Sequence, residues 1–140
     1  MSYSFLLPDP ESAVDLQSYL QRAKRLDQEG LVRMRAFGRV LASYVAPIYA
    51  GSLMEAGPTI LGLRTCELAE DAELDVVVPI SAVLDRLARI NDPDALGSKS
   101  LTVALPESQR VSWAGISPPR SGWEPAGLLP EQRLTELAKA

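Results

Sequence analysis

Residues 31–51 read LVRMRAFGRVLASYVAPIYAG, and the order of apolar and charged residues in this stretch decides the fold. Arg33 and Arg35 alternate with apolar residues, a period of two that is typical of a β-strand with one solvent-facing side. Gly38 interrupts the alternation, and a second run of apolar, β-branched and aromatic residues continues to Ala46. The interruption predicts either a tight hairpin turn or a β-bulge.

Helical periodicity occurs on both sides of this stretch. Asp9, Pro10 and Glu11 form a typical helix start, with a capping side chain, a proline in the first turn and an early acidic residue. Apolar residues at spacings of three and four then predict a helix over Pro10–Asp27. A second helix is predicted from Pro79 or Ser81 to Ile90, and a short one after Pro130.

Further short segments have strand character, and turn-forming residues separate them. The acidic run Ala69–Asp75 is interpreted as a connection, and 51–58 and 91–98 as a loop or hairpin and a loop. The remaining predicted strands are Thr59–Leu68, Val76–Val78, Ser100–Pro106 and Arg110–Gly115. Ser2–Leu7 is interpreted either as an edge strand or as a segment that covers the core.

These elements predict an α+β fold. Because turns and not crossover helices join most neighbouring strands, we expect one mainly antiparallel sheet of about 5–7 strands, packed by two principal helices and a short C-terminal helix. Residues 1–140 are expected to form a single domain. The last helix stops with its apolar periodicity intact, so the chain is interpreted as either complete or the N-terminal portion of a longer protein.

Composition limits the function classes. The 140 residues carry a formal net charge of −4, which argues against a protein that binds nucleic acid over its whole surface. No apolar run is long enough for a membrane span, and the N-terminus lacks the basic region of a signal peptide. The expected location is the cytoplasm, and no membrane contact is predicted.

Catalytic chemistry is not indicated. The chain has no histidine and one cysteine, Cys66, so the usual general base and thiolate metal sites are missing. No glycine-rich phosphate-binding loop is present. The acidic residues between Glu67 and Asp75 follow no metal-binding spacing and are interpreted as a solvated turn. No catalytic residue, metal or cofactor is therefore predicted.

Four arginines form a candidate basic face. Arg33, Arg35, Arg39 and Arg64 belong to predicted strands and could share the open side of the sheet. Such a strip would suit a phosphate backbone or an acidic partner. The alternative is a charged solvent face that discourages edge-to-edge pairing of strands.

The stretch WAGISPPRSGW, residues 113–123, holds both tryptophans. Its proline pair suggests a peptide that docks in an aromatic groove, but the stretch lacks PxxP spacing. Trp113 falls in a predicted strand and is expected in the core, while Trp123 is assigned to either the core or an interface. Trp113, Arg120 and Trp123 are therefore the candidate interaction surface.

Three phrases, RLDQEGLVRMRA, AELDVVVPISAVLDRL and WAGISPPRSGWEPAGLLP, together resemble the N-terminal part of an uncharacterised family of actinobacterial hypothetical proteins. The resemblance spans nearly the whole chain, implies longer relatives with a further C-terminal segment, and brings no activity with it. The phrase DVVVPISAVLDRL and the order of elements also resemble a single module of bacterial sliding clamps. That smaller resemblance implies something about fold and nothing about function.

Three functions follow as hypotheses. The first is a non-catalytic interaction module, which self-associates as a homo-oligomer or binds a protein partner through a sheet edge or the tryptophan stretch. The second is a clamp-like protein that contacts nucleic acid through the arginines. The third is a small-molecule enzyme with carboxylate chemistry.

Overall fold

A computed structural model of the protein describes residues 3–48, 59–91, 101–115, 119 and 121–139. Its class is α+β with antiparallel pairing, as the sequence predicts. The predicted loops at 51–58 and 92–98, and Arg120, lie outside the described residues. In chain order the elements are β1 (Tyr3–Leu6), α1 (Pro10–Leu26), β2 (Leu31–Ile48), β3 (Ile60–Pro79), α2 (Ile80–Ile90), β4 (Thr102–Leu105), a 3-10 turn (Ser112–Ala114) and α3 (Glu131–Lys139).

The prediction of one sheet with about five to seven strands is wrong. The described residues form four strands in two separate two-stranded sheets, β1 with β4 and β2 with β3. β2 and β3 are 18 and 20 residues long and together make an extended antiparallel ribbon. β3 contains two segments that the sequence predicted as separate strands, and β2 contains two segments for which the sequence left a hairpin or a bulge open.

In β2, Gly38 produces a bulge and not a hairpin. Gly38 has φ of 61°, a left-handed conformation that glycine adopts without steric cost. The pairing register shifts between Gly38 and Val40, so that Arg39 of β2 lies opposite the four residues 68–71 of β3. The chain stays in the same ribbon, so the bulge is the correct one of the two alternatives that the sequence left open.

In β3, the acidic run remains extended. Leu74 faces the core and is 6% exposed, whereas Glu73 and Asp75 alternate with it and face solvent. Alternation of this kind lets a strand carry carboxylates without burying charge. The predicted connection over Ala69–Asp75 is therefore wrong, because the acidic residues occupy the solvent-facing positions of a strand.

The predicted strand at Arg110–Gly115 is also wrong. β4 pairs with β1, from Tyr3 opposite Leu105 to Leu6 opposite Thr102. The chain after β4 caps an edge of β3 instead: the Gln109 backbone N–H donates to the carbonyl of Val77 at 2.7 Å. The Val77 N–H in turn donates to the Ser108 hydroxyl at 3.0 Å.

The two principal helices agree with their predicted bounds. The Asp9 carboxylate accepts from the Ser12 N–H at 2.7 Å and caps the start of α1. α1 packs against α2, and α2 contacts β3 and β4. One hydrophobic cluster joins the helices to the inner face of the ribbon and to the β1–β4 sheet; its fully buried members include Leu20, Val32, Met34, Leu41, Leu68, Val83, Leu87 and Val103.

Candidate functional site

The side of the ribbon that faces away from the core forms a continuous surface. Before the bulge, even-numbered residues of β2 such as Met34 point to the core, and after it odd-numbered ones such as Leu41 do. The register shift at Gly38 therefore accompanies a reversal of the alternation in β2, and both halves of β2 pack inward. We call the opposite side the outer face; it carries Arg35, Phe37, Val40, Ala42 and Tyr44 of β2 and Leu63, Thr65, Glu73 and Asp75 of β3.

The outer face lines a cavity of about 730 Å³, which we call the outer-face cavity. Two other cavities near α1 measure about 80 and about 60 Å³. Clefts of several hundred Å³ are of the size that takes ligands or partner side chains. Besides the outer-face residues, the cavity is lined by Tyr3, Ala36, Leu74, Pro119 and Trp123.

Aromatic residues are concentrated in this cavity. The chain has two Phe, four Tyr and two Trp. Of the seven that the structure describes, four line the cavity, namely Tyr3, Phe37, Tyr44 and Trp123. Aromatic side chains supply large contact areas and are enriched at protein interfaces.

Several apolar side chains of the cavity are open to solvent. Val40 is 54% exposed, Leu63 is 53% exposed and Trp123 is 70% exposed. Single exposed apolar residues are normal on protein surfaces, but several that line one concavity are typical of a binding site. The outer face therefore has the composition of an interface and not of a solvated sheet surface.

Arg33 and Arg35 project from the same side of β2, and both contact Asp75 of β3. Arg33 makes two hydrogen bonds to the carboxylate, Nε to Oδ1 at 2.9 Å and NH2 to Oδ2 at 2.8 Å. Arg35 Nε lies 3.4 Å from Asp75 Oδ2. The hydrogen bond to Asp75 raises the pKa of Arg33 above its ordinary value. One carboxylate thus serves two guanidinium groups at the rim of the cavity.

Arg39 and Arg64 do not join this pair. Arg39 occupies the bulge, where Nε donates to the carbonyl of Leu68 at 3.2 Å and NH2 donates to that of Ala69 at 3.0 Å. It therefore satisfies backbone oxygens in the segment of β3 that the bulge removes from regular pairing. Arg64 lies opposite Ser43 and lines a small cavity beside α1. The four arginines thus occupy three different environments.

The two tryptophans lie in different environments, one buried and one exposed. Trp113 lies in the 3-10 turn and is 8% exposed, so its predicted place in the core is confirmed although the predicted strand is not. The carbonyl of the next residue, Ala114, accepts a hydrogen bond from Arg33 NH1 at 2.9 Å. Trp123 lies at the outer-face cavity, and its indole N–H donates to the carbonyl of Pro119 at 2.6 Å.

Two titratable groups near α1 are held by packing. Burial raises the pKa of Tyr19 to about 12, and the neighbouring Arg64 opposes that rise. The Tyr19 hydroxyl donates to the carbonyl of Ser43 at 3.2 Å. Burial likewise raises the pKa of the Cys66 thiol, which makes the nucleophilic thiolate less accessible at neutral pH. Neither arrangement suits acid–base or nucleophilic catalysis.

The described residues form neither a metal site nor a membrane-spanning helix. Within the described ranges, no three or more aspartate, glutamate or cysteine side chains come together in a way that could hold a metal ion. None of the helices in those ranges combines the length and the apolar character that crossing a membrane requires.

The sequence-based candidates omitted most of this surface. The sequence predicts strands at Val40, Tyr44 and Leu63 but no role in binding. The reason is that the alternation reverses at Gly38, so the pattern before it does not indicate which side chains after it face outward. A signal was nevertheless present: from Val40 onward, Ser43 is the one polar member of the two alternating sets of residues in β2, apart from the Tyr44 hydroxyl. A strand with one face open to water normally alternates apolar and polar residues.

Comparisons with known proteins identify a family without assigning an activity. Searches of curated proteins and of solved structures found no significant match. Residues 1–108 match the model of a family described as a domain of unknown function, DUF8010, and this range includes both strands of the ribbon. Since the match covers more than half of the 140 residues, the chain belongs to the DUF8010 family.

Proposed function

We propose that the protein is a non-catalytic self-association module whose contact surface is the outer-face cavity. The observation that carries this proposal is the exposure of Val40, Leu63 and Trp123, each more than half open to solvent, around a single cavity. Removing such side chains from water stabilises a complex by about 25 cal/mol for each Å² of apolar surface buried. An interface is the arrangement that would remove this surface from water.

A second copy of the chain suits the cavity because its rim carries both signs of charge. Arg35 lies on β2, while Glu73 and Asp75 lie on β3. In a symmetric pair, a surface with both signs can place its basic groups against the acidic groups of the other copy. A strongly acidic or strongly basic partner would gain less from such a rim.

The nucleic-acid hypothesis has weaker support. Arg33 and Arg35 already share the carboxylate of Asp75, and Arg39 donates to backbone carbonyls. Any anionic partner would have to share these arginines, and a net charge of −4 disfavours a phosphate backbone in particular. The clamp-like relationship, the actinobacterial origin and the cytoplasmic location remain predictions from sequence and add no support to either function.

The proposal is tested by the mass of the protein in solution. Light scattering after size-exclusion chromatography, over a range of concentrations, should show a dimer for the 140-residue chain. Val40→Lys with Leu63→Lys should shift it to monomer, because two charges would enter the apolar part of the contact. The matched control is Val14→Lys with Leu26→Lys, two α1 side chains that are 49% and 71% exposed and do not line the cavity.

Circular dichroism and thermal melts would establish that both double variants remain folded. A wild-type chain that is strictly monomeric at high concentration would contradict self-association. Equal dimerisation of the cavity variant and its control would show that another surface is responsible.

A further inference from the structure

The C-terminal helix α3 displays an apolar stripe that none of the described residues buries. Leu134 and Leu137 lie one turn apart and are 50% and 51% exposed. Just before the helix, Leu128 is 99% exposed and Leu129 is 63% exposed. None of the described residues from 119 to 139 is buried. This segment therefore offers four leucines to solvent.

An unaccompanied helix of this length is not stable. α3 has nine residues, and isolated helices shorter than about 12–15 residues are marginal in water. In proteins, most of the stability of such a helix comes from packing its apolar side against another surface. The stability of α3 therefore requires a surface that covers its leucines.

We propose that α3 of one copy binds in the outer-face cavity of a second copy, and that the second copy returns the same contact. This inference rests on the proposed self-association and names the element that enters the cavity. An amphipathic helix in an apolar groove, with leucines as anchors, is a common form of protein recognition. Because each copy supplies one helix and one cavity, the exchange closes as a dimer.

Charges beside the stripe fit the rim of the cavity. On a helix with 3.6 residues per turn, Glu131 and Arg133 flank the two leucines on opposite sides. The rim likewise has a basic side, at Arg35, and an acidic side, at Glu73. With the leucines inserted, Arg133, which lies 3.7 Å from Glu136 of its own helix, can face Glu73. Glu131 can then share Arg35 with Asp75, whereas the reverse orientation would bring like charges together.

The path of the chain favours exchange over binding within one copy. Trp123 already lines the cavity, and only residues 124–130 separate it from α3. Pro125 and Pro130 restrict this connection, because proline fixes φ and limits the residue before it. To enter the cavity of its own copy, the helix would have to fold back within these seven residues, beside the Trp123 that already lines that cavity.

Two double variants separate the two sides of the contact. Leu134→Lys with Leu137→Lys alters the helix, and Val40→Lys with Leu63→Lys alters the cavity. We expect either variant alone to raise the dimer dissociation constant at least about tenfold, measured by sedimentation velocity, because each removes buried apolar contacts. The control is Val14→Lys with Leu26→Lys, which should dimerise as the wild type does.

Mixing the two variants gives the decisive measurement. The cavity variant retains a normal helix and the helix variant retains a normal cavity, so native mass spectrometry should show a heterodimer held by one intact contact. If the helix variant dimerises as well as the wild type while the cavity variant does not, exchange of α3 is wrong and self-association stands. If both variants are weakened and the mixture yields no heterodimer, reciprocal exchange is also wrong. A strictly monomeric wild type overturns both proposals.

Discussion

Arg33 and Asp75 are joined diagonally across the ribbon by two parallel hydrogen bonds, at 2.9 and 2.8 Å. In the pairing register Arg33 lies opposite Val77, and Asp75 lies opposite Arg35. Arg33 also donates to the carbonyl of Ala114, in the turn that buries Trp113. A single guanidinium therefore connects β2, β3 and the segment that follows β4.

Replacing Arg33 should destabilise the fold. Lysine cannot reproduce the planar set of donors, so we expect Arg33→Lys to lower the free energy of unfolding by about 1 kcal/mol and Arg33→Ala by about 2 kcal/mol. Urea denaturation measures both. Arg89→Lys, at an exposed position on α2, is the matched control and should change stability by less than about 0.5 kcal/mol.

A double-mutant cycle with Asp75→Ala tests whether the two side chains act together. Since Asp75 also contacts Arg35, its replacement affects both arginines. We expect the effects of Arg33→Ala and Asp75→Ala to be less than additive. Additive effects would show that the paired geometry contributes nothing to stability.

Gly38 should tolerate substitution only at the cost of backbone strain. A Cβ at this position would meet nothing within 4 Å, so its φ of 61° is the only obstacle. We expect Gly38→Ala to lower the free energy of unfolding by about 1–2 kcal/mol, and Gly38→Asn to cost less because asparagine tolerates this region better. Gly115→Ala, at φ of −70°, is the control; equal losses at both positions would contradict the strain argument.

The fold was predictable where a local pattern and the global packing agree. The capping residue and the apolar stripe of α1 predict the bounds of that helix. The start of α2 is predictable because the strand runs directly into a helical pattern at Pro79. Strand number was not predictable from Gly38, because a glycine with positive φ occurs both in tight turns and in bulges. Whether a turn or a bulge forms depends on whether the residues after Gly38 pair with the same neighbouring strand as the residues before it. Here that neighbour is β3, which is distant in sequence.

The candidate site was less predictable than the fold. Trp123 was identified from its residue type and neighbours, but Val40 and Leu63 become neighbours only through the register of the ribbon. Arg33 and Arg35 are two of the four arginines of the predicted basic face, yet their shared partner Asp75 lies about 40 residues away in the chain. Pairing across strands therefore determined both the apolar cavity and the charge on its rim.

We expect the ionisation of Tyr19 to make the folded chain less stable at alkaline pH. Its pKa is about 12 in the folded chain against 10.0 ordinarily, so folding favours the protonated phenol. The stabilisation is fully present below about pH 10 and is lost as the pH rises through about 12. Tyr19→Phe should cost about 1 kcal/mol at pH 8, where the hydrogen bond to Ser43 is intact.

The measurement is denaturant unfolding of the wild type and Tyr19→Phe from pH 8 to pH 12. Other groups titrate over this range in both proteins, so only the difference between the two free energies is informative. That difference should shrink as the pH passes 10, since phenylalanine has no proton to lose. Parallel stability curves would show that Tyr19 is ionised as easily in the folded chain as in the unfolded one.

The two tryptophans should report different environments and different energies. Trp113→Ala should lower the free energy of unfolding by about 3 kcal/mol, because the indole is 8% exposed and its removal leaves a cavity. Trp123→Ala should change the stability of the monomer by less than about 0.5 kcal/mol, because that ring is 70% exposed.

In Trp113→Phe the remaining indole should be readily quenched by acrylamide in dilute solution and become protected as concentration rises and copies associate. Quenching that is independent of concentration, in a sample whose mass shows dimer formation, would remove Trp123 from the contact surface.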